Sequence, residues 1–118
     1  REINNTKIKI ISSNYEEKLI KAAFSYLKLL SEFTIEPPMF IFLSFLGVKN
    51  YRIWHETSGY REEGLPIDRE LLLLPEGITE NYDTKIEHSL KPLFDLVWNA
   101  SGYQNSLNFD KNGNWIVR

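Results

Sequence analysis

The chain has no cysteine among its 118 residues. This absence excludes disulfide bonds, thiolate nucleophiles and cysteine-based zinc sites. A protein without disulfides is typical of a reducing compartment, and we therefore predict a cytoplasmic location.

Long apolar runs are also absent. No segment reaches the ~18 consecutive apolar residues that a membrane-spanning helix requires. The first residues do not have the pattern of a signal peptide. We therefore expect no association with a membrane.

The sequence is equally poor in the patterns that carry catalysis or bind phosphates. Its six glycines are isolated from one another, so there is no phosphate-binding loop, and neither HExxH nor G-x-S-x-G occurs. The net charge is −2, whereas an autonomous nucleic-acid binder is usually basic. We predict that the chain is not an enzyme and that it holds no cofactor or metal.

The length is enough for one domain and too short for two ordinary ones. The first residue is Arg1 and not Met. We therefore expect residues 1–118 to form a single domain that is part of a longer multidomain chain.

The most apolar segment is residues 35–48, in which Ser44 is the only polar side chain after Pro38. Such a run predicts the centre of the core, because on a surface it would expose a large apolar patch. Pro37 and Pro38 suit a helix start and Gly47 suits a helix end, which favours a buried helix. A buried strand is the alternative, because Phe and Ile favour strands.

Two amphipathic helices are predicted around this segment. The first spans residues 15–32 and begins either at a capping box of Ser13 and Glu16 or at Asn14. The apolar stripe that would face the core comprises Leu19, Ala23, Tyr26, Leu27 and Leu30, and is widened by Ile20 and Phe24. The second begins after Thr84 and runs to Gly102, with the stripe Ile86, Leu90, Leu93, Phe94, Val97 and Trp98. Pro92 must either kink this helix or start a new one.

Short strands are predicted elsewhere. Residues 6–11 alternate in polarity, and residues 48–56 favour a strand, whereas residues 57–66 and 75–83 have the composition of loops. Residues 70–74 fit either a helical turn or an extended segment. At the C-terminus, a three-residue loop at 111–113 predicts a hairpin that pairs Phe109 with Trp115 and Leu107 with Val117. We expect an α+β fold with a small antiparallel sheet.

Three groups of residues could carry chemistry. His55 and His88 lack a compact ligand spacing, so they are expected to be partly exposed. A charged middle region holds Glu62, Glu63, Asp68, Glu70, Glu76 and Glu80. A basic aromatic surface could bind single-stranded nucleic acid or a protein partner, and it comprises Tyr51, Arg52, Trp54, Tyr60 and Arg61.

Several blocks of sequence also resemble a known family. They are PPMFIFLSFLGVK at residues 37–49, PIDR at 66–69, LLLPE at 72–76 and KPLFDLVWNASG at 91–102, followed by NFD at 108–110 and GNW at 113–115. Together they resemble the C-terminal region of bacterial AlbA-like, Schlafen-type proteins, which are proposed to bind nucleic acid or ATP. The resemblance implies an accessory domain, with the AlbA-like domain upstream of Arg1.

We therefore predict a non-catalytic accessory or interaction domain of a bacterial, transcription-regulator-like protein. Its partner would be the upstream domain of the same chain or a second copy, and nucleic acid would be bound through the parent protein. One alternative is an autonomous module for single-stranded nucleic acid. Another is a small enzyme that uses the middle-region carboxylates with His55.

Overall fold

The computed structural model describes the backbone of residues 2–3, 6–7, 9–12, 14–57 and 60–116, and the side chains of residues 9–12, 14–55 and 62–116. These residues form an α+β protein. Its elements are β1 Glu2–Ile3, β2 Thr6–Lys7, β3 Ile10–Ser12, α1 Tyr15–Glu32, β4 Met39–Ile41, β5 Ser44–Leu46, β6 Arg52–Thr57, β7 Tyr60–Glu63, β8 Leu71–Leu73, β9 Gly77–Thr79 and α2 Ile86–Ala100.

Helix α2 is the centre of the core. Its buried residues are Ile86, Leu90, Leu93, Phe94, Val97 and Trp98, which confirms the predicted stripe. Pro92 lies inside one continuous helix and on its exposed side. There the His88 carbonyl, which loses its helical partner to the proline, can accept a hydrogen bond from water.

Helix α1 has the predicted bounds and follows Asn14 as its N-cap residue. Leu19, Ile20, Ala23 and Leu27 pack against the core around α2. The stripe is narrower than predicted, because Tyr26 and Phe24 are exposed. Ser13 lies outside the described residues, and the capping-box role of Glu16 is wrong because its side chain enters the core.

The prediction of a buried helix at residues 35–48 is wrong. Residues 39–46 form strands β4 and β5, which pair with β9 and β8 in antiparallel register. The paired residues lie 25 to 40 positions apart in the chain, and residues 77–79 have loop composition, so a local pattern could not reveal the pairing. The prediction that residues 35–48 are the centre of the core is also wrong, because nine of these fourteen residues are exposed.

The paired segments form a two-stranded ribbon with a bulge. Two residues separate Ile41 from Ser44, whereas three separate Leu73 from Gly77 on the partner side. Pro75 lies in this bulge, where its missing N–H breaks no ladder hydrogen bond. Residues 71–73 and 77–79 form the strands β8 and β9 on either side of the bulge. The prediction of a loop at residues 75–83 is therefore wrong for residues 77–79. We call the whole paired unit, residues 39–46 and 71–79, the ribbon.

A separate three-stranded sheet has the order β3-β6-β7, with β3 parallel and β7 antiparallel to β6. The strand predicted within residues 48–56 is confirmed as β6. The single strand predicted at residues 6–11 is confirmed only in part, because residues 6–7 belong to β2, which pairs with β1, and residues 10–12 form β3. Residues 60–63 were predicted as part of a loop, but they form β7, the second strand of a hairpin with β6. The charged residues of β7 gave no apolar alternation that could have indicated a strand.

The C-terminal turn confirms the predicted three-residue loop. Phe109 and Trp115 form an antiparallel bridge, and Gly113 has a φ of +81°. Asp110 closes the loop, because its Oδ1 accepts hydrogen bonds from the backbone N–H groups of Asn112 and Asn114. The predicted pairing of Leu107 with Val117 lies partly outside the described residues.

Candidate interaction surface

The ribbon has one face toward the core and one toward solvent, and both faces are apolar. Met39, Ile41, Leu43 and Phe45 point inward, while the even-numbered positions from 40 to 46 are exposed. On the partner strands, Leu72 points inward and its neighbours point outward. We call the exposed side the ribbon outer face, and its apolar residues are Phe40, Phe42, Leu46, Leu71, Leu73 and Ile78.

Cross-strand pairing fixes these side chains next to one another. Phe40 lies opposite Ile78, and Leu46 lies opposite Leu71. Leu46 is in β5 and is 77% exposed, and Phe42 is in the bulge between β4 and β5 and is 71% exposed, which are large values for apolar side chains in a paired segment. The ribbon outer face is therefore a contiguous apolar patch and not a set of scattered residues.

An apolar groove adjoins this face. It is a cavity of about 420 Å³ between α1 and β4, and no charged side chain lines it. Tyr26 and Leu29 lie along its helix side, while Phe40 and Phe42 lie along its strand side. The groove therefore joins the exposed part of α1 to the ribbon outer face.

A second notable feature is the buried carboxylate of Glu16. It is fully buried, and its two oxygens accept hydrogen bonds from Trp98 Nε1 at 2.6 Å, Trp115 Nε1 at 3.2 Å, Ser106 Oγ at 2.8 Å and Asn108 Nδ2 at 3.3 Å. These donors come from α2 and from the C-terminal segment, so Glu16 ties both to the first turn of α1. We call this group the Glu16 cluster.

Burial raises the pKa of Glu16, and the hydrogen bonds from Ser106, Trp98, Asn108 and Trp115 act in the opposite direction. Burial also raises the pKa of the neighbouring Tyr15, with a further contribution from the Glu16 charge. Each carboxylate oxygen already has at least two donors, so the cluster has no free position for a ligand. Its arrangement is that of a structural hydrogen-bond centre.

The Glu16 cluster was not predicted from the sequence, because its members are separated by up to 99 residues. The apolar surface was also missed, although a signal was present. Residues 39–46 are apolar at both odd and even positions, so an extended conformation must turn one apolar side away from the core.

The predicted basic aromatic surface is only partly assembled. Arg52 and Trp54 alternate with the buried Ile53 along β6 and therefore share one face of the sheet. Arg52 is half-buried, and its Nη1 donates to the Gly64 carbonyl at 3.5 Å. Tyr51 is half-buried beneath Lys9 Nζ, which lies 5.6 Å from its ring centre. Tyr60 and Arg61 lie on β7, and their side chains are outside the described residues.

The two histidines do not meet. His55 is buried with its ring 5.9 Å from that of Trp98, whereas the exposed His88 lies 3.2 Å from Asn114 Oδ1. His88 and Trp98 are ten residues apart on α2, which corresponds to about 15 Å along the helix. The expectation that His55 is partly exposed is therefore wrong. Among residues with described side chains, no group of three potential metal ligands occurs.

The charged residues of the middle region are all exposed. Glu62 and Glu63 lie on β7, Asp68 and Glu70 precede β8, and Glu76 and Glu80 flank β9. They are thus spread over three strands and their connections. None of these six carboxylates is buried, so the structure does not assemble an enclosed carboxylate pair from them.

Neither described helix is long and apolar enough to cross a membrane. Comparison of the chain with protein-family models, curated proteins and solved structures finds no match. The AlbA-like, Schlafen-type resemblance therefore stays a prediction.

Proposed function

We propose that this chain is a non-catalytic interaction domain that binds a protein on the ribbon outer face and in the adjoining groove. The observation that supports the proposal is the alternating exposure of residues 39–46, which directs Phe40 and Leu46 into solvent from the paired strands and Phe42 from the bulge between them. A monomeric domain rarely maintains such a patch, because covering it lowers the free energy.

The amount of exposed apolar surface is large enough to hold a partner. Tyr26, Phe40 and Phe42 are between 54% and 71% exposed and leave about 400 Å² in water, at roughly 200 Å² per aromatic side chain. Five aliphatic side chains add about 300 Å², and they are Leu29, Leu46, Leu71, Leu73 and Ile78. Burying this area would contribute about 15–20 kcal/mol before the cost of association is subtracted.

The family resemblance gives this proposal a context. In it, the domain is an accessory part of a bacterial protein whose AlbA-like domain contacts nucleic acid. The apolar surface then docks either another domain of the same protein or a second copy. The ribbon outer face contains no lysine or arginine that could contact phosphates, so its composition favours a protein partner over nucleic acid.

Site-specific photo-cross-linking in living cells tests the proposal. A benzophenone amino acid is placed at position 42 and, as a matched control, at position 24. Phe24 is 61% exposed but lines a different cavity, between α1 and the start of α2. We expect one discrete cross-linked protein species at position 42, identified by mass spectrometry, and a yield at least about tenfold lower at position 24.

Equal, diffuse cross-linking at the two positions would contradict the proposal, because it would show that the ribbon outer face is no more covered than an ordinary surface. A discrete cross-link at position 24 alone would place the interaction surface elsewhere on the molecule.

A further inference from the structure

We propose that the protein covering the ribbon outer face is a second copy of this chain, packed about a two-fold axis close to Phe42. This inference rests on the proposed function and adds the identity of the partner. A two-fold contact uses the same patch on both molecules, so the patch must be compatible with itself.

The first argument is the scarcity of charge. The outward positions of the ribbon from 40 to 46 are Phe40, Phe42, Ser44 and Leu46, and the adjoining groove has no charged side chain. The single charged residue of the ribbon is Glu76, which is exposed in the bulge across from Phe42 and Leu43. A two-fold axis on the groove side of Phe42, away from Glu76, therefore places apolar groups against one another and keeps the two Glu76 carboxylates apart.

The second argument is the proximity of a protruding side chain and a hollow. Phe42 is 71% exposed and also lines the rim of the 420 Å³ groove between α1 and β4. A two-fold axis beside Phe42 brings each copy's ring to the other copy's groove. Buried aromatic anchors in a complementary pocket are the usual source of binding energy in an interface.

The third argument is area. The exposed apolar side chains of the ribbon outer face and groove present about 700 Å² per molecule, by the estimate given above. A stable two-partner interface of ordinary size buries about 800 Å² on each side. One copy therefore supplies nearly the apolar surface that a dimer of this type needs, and the polar rim around it supplies the rest.

Sedimentation velocity of the purified chain tests this inference, over concentrations of roughly 1 to 100 μM. We expect a species of twice the 13.9 kDa chain mass, and a mass that does not fall when the salt concentration is raised. Phe42→Glu and Tyr26→Glu, placed on the two sides of the groove, should each weaken dimerisation at least about 100-fold.

Phe24→Glu is the matched control and should leave the dimer unchanged. The three substituted positions are all more than half exposed, so thermal unfolding should show that the variants remain folded. A dimer that survives both Phe42→Glu and Tyr26→Glu, or an open-ended series of larger oligomers, would overturn the inference.

A wild-type chain that stays monomeric throughout would also overturn it. The cross-linking experiment then separates the two proposals. A discrete cross-link at position 42 to a different protein would support the interaction function and would contradict the proposal that the partner is a second copy. A chain that stays monomeric and gives no discrete cross-link at position 42 would contradict both the interaction function and the proposed dimer.

Discussion

At the scale of single residues, Glu16 shows how a charged side chain can hold distant parts of a fold together. The carboxylate is buried where α1 begins, and four side chains from α2 and the C-terminal segment donate to it. Because the residues that meet there are far apart in sequence, a local pattern could assign Glu16 only a capping role. Glu16 attaches the C-terminal turn to the core through Trp115, beside the packing of the buried Phe109 against Phe94.

Glu16→Gln should lower the free energy of unfolding by about 1–3 kcal/mol. An amide has one acceptor oxygen, so its NH₂ group must face either the Trp98 or the Trp115 indole N–H, and two donors then oppose each other. Urea denaturation measures the change. Glu17→Gln is the control, because Glu17 is exposed and only pairs with Lys21, and its effect should stay within about 0.5 kcal/mol.

The effect of Glu16→Gln should also depend on pH. Burial raises the pKa of Glu16 above its usual 4.5, so the folded state keeps the proton to a higher pH than the unfolded chain does. The resulting contribution to stability is complete below pH 4.5 and is lost as the pH rises through the folded-state pKa. The stability advantage of the wild type over Glu16→Gln should therefore shrink across that interval. An advantage that grows with pH would contradict this account.

At the scale of elements, the ribbon shows why a strand was mistaken for a helix. The predicted stripe of α2 and the bounds of α1 were confirmed, because a helix forms its hydrogen bonds within one segment and shows its buried face locally. The ribbon depends on pairing between residues 39–46 and 71–79, and its bulge at residues 74–76 hides the register. Apolar residues on both of its faces removed the alternation that normally identifies a half-buried strand.

The junction between β7 and the end of α2 depends on close packing at Gly64. The buried Ser101 Oγ accepts from the Ile53 N–H at 3.1 Å and donates to the Leu65 carbonyl at 2.7 Å, and a Cβ on Gly64 would overlap this hydroxyl. We expect Gly64→Ala to lower the midpoint of thermal unfolding, with a loss of about 1–3 kcal/mol.

Gly47→Ala is a useful comparison, because Gly47 has open space around it and a φ of +68°. The free energy of unfolding of Gly47→Ala should fall by about 1 kcal/mol, and this loss should come from backbone strain alone. If Gly64→Ala were no more destabilising than Gly47→Ala, the junction would have room that the structure does not show.

At the scale of the whole molecule, the sequence was sufficient to predict the α+β class but not to predict which apolar residues are exposed on the surface. The notion that the most apolar segment must be the core failed at residues 39–46, because α2 fills the centre and the ribbon lies against it with one apolar side outward. The basic aromatic surface was only partly assembled, since Arg52 and Tyr51 are half-buried and engaged in the fold. Exposure depends on which segments cover one another, and periodicity alone does not contain that information.

Thiol labelling in living cells measures most directly whether the ribbon outer face is covered. The chain has no cysteine, so Phe42→Cys and Phe24→Cys each introduce a single reactive group. The two positions are similarly exposed in the isolated molecule, at 71% and 61%, so their exposure alone does not account for a large difference in labelling rate. We predict that the thiol introduced by Phe42→Cys reacts with a membrane-permeant maleimide at least about tenfold more slowly than the thiol introduced by Phe24→Cys. Equal rates at the two positions would contradict the interaction function.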